Sequence, residues 1–273
     1  MYRKIWDQNF RAIACLSFYS AKGILVNTLT GFKYGKYLVT DKSAYLIEKA
    51  NDVHIAFCEK DRNIPSVFVT LSLQEFHNRI FKSIIEGTNF VMVNIDFPEF
   101  IEIPSLKICN TKKYAVGSPI AIIGHQDEHQ NLTLKSGIIS ANFRYKGFDY
   151  IQFDANIIQG NSGSPLIDVE NNEVIGLVGY RLATINQSYH QLMKIINGNI
   201  ELLKQFEGKF NVIDIDLVQV LLANQNQIKH MAHEFYKTAS FVYGYALELY
   251  GFINLLNYPE SIDQKVERTK EKE

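Results

Sequence analysis

Long apolar runs are missing from this chain of 273 residues. No stretch reaches the ~18 or more apolar residues of a membrane-spanning helix, so no membrane partner is expected. A dominant sign of charge is missing as well. The formal net charge is -1, and no basic patch stands out, which argues against a protein that holds nucleic acid. Cysteine is scarce. Cys15, Cys58 and Cys109 lie far apart in apolar stretches and follow no metal-ligand spacing, as suits small buried hydrophobes. The odd count does not exclude one disulfide, but the setting points to a reducing compartment. The first residues, MYRKIWDQNFR, are too charged for the apolar region of a signal peptide, and AIACLSFYS lacks a small-residue cleavage site. A cytoplasmic location is expected. His230, His233 and Glu234 are close in sequence, but no further ligand is evident and zinc needs three or four. No metal or other cofactor is expected.

What is present falls into two textures. From about Arg11 to Tyr180 the chain consists of short segments rich in Val, Ile, Phe and Tyr, such as YGKYLVT, SPIAIIG and EVIGLVGY, bounded by Gly, Asn, Asp or Pro. Many such strands without alternating helices predict an antiparallel sandwich or barrel. One helical insert is expected over residues 72–87, where Leu73, Phe76, Ile80, Phe81 and Ile84 share a helix face. The predicted barrel region spans residues 1–185. Residues 186–258 read as a helical extension, with a first helix interrupted near Asn197 and Gly198. The second is expected from Asp216 to Leu256, with Asp214 or Asp216 as its N-cap. Tyr243, Tyr245, Tyr250 and Phe252 mark its second half as a face that packs onto the barrels, onto another helix or onto a partner protein. Residues 259–273 form a charged tail.

The chemistry is concentrated between Phe153 and Tyr180. Gly160-Asn161-Ser162-Gly163 sets a serine in a tight turn among residues without bulky side chains. Backbone N–H groups then converge beside the hydroxyl, and glycine supplies the backbone freedom that a close carbonyl approach requires.

GNSGSPL resembles the G-[DN]-S-G-G-P-L signature of the trypsin-like serine peptidases, and the preceding DANIIQ resembles their HtrA-like branch. Other segments agree in order. LTGFKYGKYLVT resembles the G-[ST]-GF…ILT entry to the first barrel, VGSPIAIIGH the G-D-x-V-x-x-I-G strand, and LKSGIISA the T-x-G-I-V-S-A hairpin. The resemblance covers about Arg11 to Tyr180, with a weaker tail to about Ala223. It implies a mainly β fold, a trypsin-like double antiparallel β-barrel, here with a helical C-terminal extension.

The resemblance also implies positions for a catalytic triad, and two of them have changed. The family's general-base histidine follows ILT-[NA]-A; in LVTDKS that position holds Ser43. The family's aspartate opens the strand that here reads NFVMVNID, which places Asn89 there. Ser162 holds the nucleophile position. A serine hydroxyl is a poor nucleophile until a base takes its proton. Ser43 is no such base, and Asn89 has no charge to stabilise an imidazolium. Loss of these groups costs ~10⁴ to 10⁶ in turnover, although an oxyanion hole alone retains ~10³ to 10⁴ over water.

The other histidines read as structural or surface residues: His54 on a strand, His77 in the insert, His125 after IIG, His129 in a polar loop, and His190, His230 and His233 in the helical part. The resemblance assigns the oxyanion hole to the N–H groups of Gly160 and Ser162. It places Asn156 at the base of the pocket for the first substrate side chain, and an edge for an extended peptide at Gly179, Tyr180 and Arg181. With Asn156 there the pocket carries no fixed charge. The expected function is a catalytically impaired peptidase homologue that binds a protein or an extended peptide. The alternative is an active serine endopeptidase that uses Ser162 with an unrecognised base, and the residues leave enzymatic activity open.

Overall fold

The computed structural model describes residues 1–59, 64–80, 90–126, 129–179, 184–212, 215–238 and 241–252. After a short amphipathic helix, α1 (Tyr2–Asn9), the chain enters six strands. These are β1 (Ile13–Tyr19), β2 (Leu25–Tyr34), β3 (Tyr37–Asp41), β4 (Asp52–Cys58), β5 (Pro65–Ser72) and, after helix α2 (Leu73–Asn78), β6 (Phe90–Asn94). They form one antiparallel sheet in the order β5-β4-β1-β2-β3-β6. Alternation drives it. On β1, Ala14, Leu16 and Phe18 turn into a core with Val53, Ile55 and Phe57 of β4 and with Leu38, Val91 and Val93. Beyond α2, Ile80 bridges to Val93 of β6, bringing the two ends of the sheet towards each other.

The second set is β7 (Pro119–Gln126), β8 (His129–Tyr145), β9 (Phe148–Ile157), β10 (Pro165–Asp168) and β11 (Glu173–Gly179). The chain then leaves for two helices, α3 (Thr184–Lys204) and α4 (Leu217–Thr238). Between them lies a two-residue ribbon, β12 (Asn211–Val212) with β13 (Ile215–Asp216). It returns as β14 (Phe241–Glu248), which fits between β9 and β11 and closes a six-stranded barrel. Closure removes both exposed sheet edges. The mainly β, trypsin-like double-barrel architecture expected from the sequence is the one observed.

The helical part differs from the expectation in two ways. α3 runs unbroken through Asn197 and Gly198. The long second helix stops at Thr238, and the tyrosine-rich stretch expected to continue it is strand β14. Leu217 opens α4, with Asp216 accepting from the Val218 N–H at 2.9 Å. Gly244 shows why β14 is a strand: a Cβ there would collide with the Phe153 ring, so the glycine marks the close approach of a barrel side chain and not of another helix. The chain therefore divides into a barrel unit, residues 1–180 with 241–273, and a helical hairpin unit, residues 181–240. The barrel expected within residues 1–185 takes its last strand from beyond the hairpin. Of the expected insert over residues 72–87, α2 covers Leu73–Asn78 and residues 81–87 lie outside the described residues.

Candidate active site

The turn carrying Ser162 lies between β9 and β10 and is held from both sheets of the barrel unit. On one side the Thr30 N–H of β2 donates to the Ser162 carbonyl at 2.8 Å, and the Thr30 hydroxyl donates to the Gly160 carbonyl at 2.7 Å. On the other, the Gly163 N–H donates to Val178 of β11 at 2.8 Å, and the Val178 N–H donates to Ser164 at 2.8 Å. Gly163 has φ +86°, and a Cβ there would strike the Thr30 carbonyl. Only glycine makes this passage between the sheets without strain.

Asn161, beside the serine, is buried and satisfied at both ends. Its Oδ1 accepts from Lys135 Nζ at 2.6 Å and from the Ile158 N–H at 3.1 Å, and its Nδ2 donates to the His125 carbonyl at 2.6 Å. Lys135 Nζ also donates to the Asn156 carbonyl at 2.8 Å. Partial burial lowers the Lys135 pKa to about 8. An amine therefore stands within hydrogen-bond reach of the Asn156 backbone, beside a position that the sequence reading left uncharged.

Ser162 itself is 4% exposed. Among the described residues its hydroxyl has no hydrogen-bond partner, and neither its N–H nor that of Gly160 donates to a protein acceptor. The expected base position, Ser43, lies in a short 3-10 turn directly after β3, and its N–H donates to Asp41 Oδ1 at 2.8 Å. That turn borders the nucleophile loop, because a Cβ on Gly163 would stand 3.0 Å from the Asp41 nitrogen. The Asp41 carboxyl is buried, which holds its pKa above the usual carboxylate range against the pull of hydrogen bonds from Ser43. Asn89, Tyr180 and Arg181 lie outside the described residues. Gly179 pairs with Tyr245 of β14 on one side, and the pairing of β10 with β11 ends at Leu177 on the other.

No described histidine ring hydrogen-bonds to Ser162. His125 is nearest along the network, since its N–H donates to the Thr30 hydroxyl at 2.9 Å. Its ring is 1% exposed, its Nε2 has no partner, and burial pushes its pKa down to about 3. An imidazole so weakly basic is poorly matched to accepting a proton near neutral pH. His54 packs between the rings of Tyr19 and Phe68, His77 against Tyr45, and His233 accepts or donates at Tyr189 within the hairpin. No group of three metal-ligating side chains converges among the described residues.

Sequence reasoning missed three contributors: Thr30, Lys135 and Asp41. All three stood inside segments already singled out: Thr30 in LTGF, Asp41 in LVTDKS, and Lys135 at the threonine position of the T-x-G-I-V-S-A pattern. Their distance along the chain from Ser162 hid their role.

The family model of the trypsin-like peptidase domain matches residues 43–177. Serine proteases HTRA1A and HTRA1B of Danio rerio are each 33% identical over 104 residues, which is 35% of this chain and 21% of theirs. The chain thus spans about a fifth of the length of these curated relatives. Among solved structures, the HtrA-type protease AlgW with tripeptide superposes with a TM-score of 0.51 at 20% identity, covering 65% of this chain and 54% of that one. The serine endoprotease from Yersinia pestis does so with a TM-score of 0.50 at 21% identity, over 67% and 58%.

Proposed function

We propose that the chain, whose residues 43–177 match the trypsin-like peptidase domain, is a catalytically impaired member of that family, of HtrA type, whose cleft binds an extended peptide or a segment of a partner protein. The observation that carries this reading is an ordered nucleophile loop with no base against it among the described residues. Ser162 is fixed by bonds to both sheets, yet its hydroxyl meets no proton acceptor among the described residues. The free N–H groups of Gly160 and Ser162 then serve to bind a peptide carbonyl, and the strand edge beyond Val178 takes the peptide backbone. The AlgW structure was solved with a tripeptide, which supports peptide binding as the retained function. The cytoplasm remains the proposed location, resting on the free thiols of Cys15, Cys58 and Cys109.

A fluorophosphonate probe tests this directly, because it reacts with a serine only when a base activates it. Ser162 is expected to stay unlabelled while fluorescent peptides bind with a dissociation constant unchanged by Ser162→Ala. Labelling of Ser162 at the rate of an active peptidase would overturn the impaired reading. A specific feature favours the alternative of an active endopeptidase: two titratable groups, Asp41 and Lys135, border the nucleophile loop. Under that alternative, labelling occurs and is lost in Asp41→Asn or Lys135→Met.

A further inference from the structure

The hairpin unit carries more apolar surface than a hairpin needs. Its two helices are antiparallel: Tyr189 stacks on Tyr236 with ring centroids 4.0 Å apart, and Lys229 Nζ donates to Asn197 Oδ1 at 2.8 Å. They pack through Ile196 and Ile200 of α3 and Val218 of α4, which are buried. One position before this packed stripe, each helix carries a second one. On α3 it reads Leu192, Ile195, Asn199 and Leu202. On α4 it reads Leu217, Leu221, Asn224, Ile228, Met231 and Phe235. Steps of three and four residues keep each stripe on one helix face. The eight apolar members are between 42% and 70% exposed.

The two second stripes face the same way. One residue turns a helix by about 100°, so each stripe lies about 100° from its packed face in the same rotational sense. Reversing the direction of one helix while facing it to the other brings both stripes to the same side. The hairpin thus shows one broad apolar face, interrupted on each helix by one asparagine. Asn199 and Asn224 lie within about one helical turn of the same level, given the pairing of Asn197 with Lys229.

We infer that this face is a self-association surface, on which a second copy of the chain docks its own hairpin to complete a four-helix bundle. Eight large side chains offering on the order of 100 Å² each make about 800 Å² per copy, the amount a standard stable interface takes from each partner. One polar residue in each stripe matches the way bundles fix register, since an asparagine buried there costs stability unless it meets another polar group at one alignment. The charge does not favour a lipid surface: residues 181–240 hold six basic and five acidic side chains, without the basic excess that anionic membranes attract. Nor, among the described residues, does the barrel unit offer a matching stripe. Its exposed large apolar residues stand singly or in runs of at most three, as at Ile24, Leu25 and Val26.

The test is the mass of the full chain by light scattering after size exclusion, with the double variant Ile195→Lys/Ile228→Lys beside it. The wild type is expected to be a dimer at micromolar concentration. The variant is expected to be a monomer with unchanged far-ultraviolet circular dichroism, its self-association weakened by about a hundredfold or more. A second measurement needs no variant: the thermal midpoint of the wild type should rise with protein concentration, as it does for a chain stabilised by association. A wild type that stays monomeric with a concentration-independent midpoint overturns the inference. So does a monomer that sediments with phosphatidylcholine/phosphatidylserine vesicles, or a dimer that the double variant leaves intact.

Discussion

Ser162 and Ser43 carry the same side chain, and their neighbours make them different. Ser162 sits where backbone groups from two sheets converge, so its position is fixed, and among the described residues its hydroxyl has no partner. Ser43 follows Asp41 in a short turn and spends its N–H on that carboxylate. His125 extends the same logic to titration. Its folded pKa, about 3, lies below the ~6.5 of a free imidazole. Between those values the unfolded chain binds a proton that the folded chain refuses, so stability is complete above about pH 6.5 and is lost as pH falls towards 3. At pH 4 the loss from this one residue should be about 3 kcal/mol relative to neutral pH. Urea unfolding from pH 7 to pH 4 measures it by comparing the wild type with His125→Leu, which should lack that part of the slope. Equal slopes in the two proteins would show that the ring is not held neutral by burial. At this scale the sequence reveals the nucleophile loop, because its seven informative residues are contiguous. It conceals Thr30 and Lys135, because a hydrogen bond across 130 residues, as from Thr30 to Gly160, leaves no local pattern.

Among the elements, β14 is the one whose local sequence misleads. FVYGYALE follows a helix of 22 residues, its glycine invites a reading as a weak helical turn, and its tyrosines suggest a surface. In the barrel those features have other causes. Gly244 clears the Phe153 ring, Ala246 lies in the core of the closed barrel, Leu247 lies in the buried cluster that the barrel shares with the first sheet, and Glu248 is buried where it accepts from Tyr114 and pairs with Lys112 at 2.9 Å. Aromatic and small residues in alternation suit a pleated, half-buried strand. This placement sets the expected effect of truncation after Lys237. Loss of β14 opens the barrel between β9 and β11 and uncovers both their edges, so the truncated chain should lose its cooperative thermal transition and aggregate. Differential scanning calorimetry of the truncated chain decides this. A retained transition would mean that β14 is peripheral. Most strands from β1 to β11 were legible as apolar runs bounded by turn residues, although β5 and β10 were not singled out. β14 was not, because its partners β9 and β11 come from before the hairpin.

For the whole molecule, the hairpin is an insertion between two neighbouring strands, and this sets what its removal should do. In the antiparallel register Val178 faces Ala246 and Gly179 faces Tyr245, and an ideal hairpin designed on this register pairs positions 183 and 241. Two residues suffice to join those positions, and Asn-Gly is the pair whose backbone twist suits such a connection. Replacing residues 184–240 with Asn-Gly should therefore leave a barrel with every strand present, its last two linked as an ordinary β-hairpin. Closing a short loop in place of a long one carries no entropic penalty, because loop-closure cost grows with length. The shortened protein is expected to unfold in a single cooperative step, to lose most of its helical circular dichroism and to bind peptide as the full chain does. An unfolded or molten product would show that the barrel depends on the hairpin for its stability. A folded product that no longer binds peptide would instead place the hairpin within the binding function.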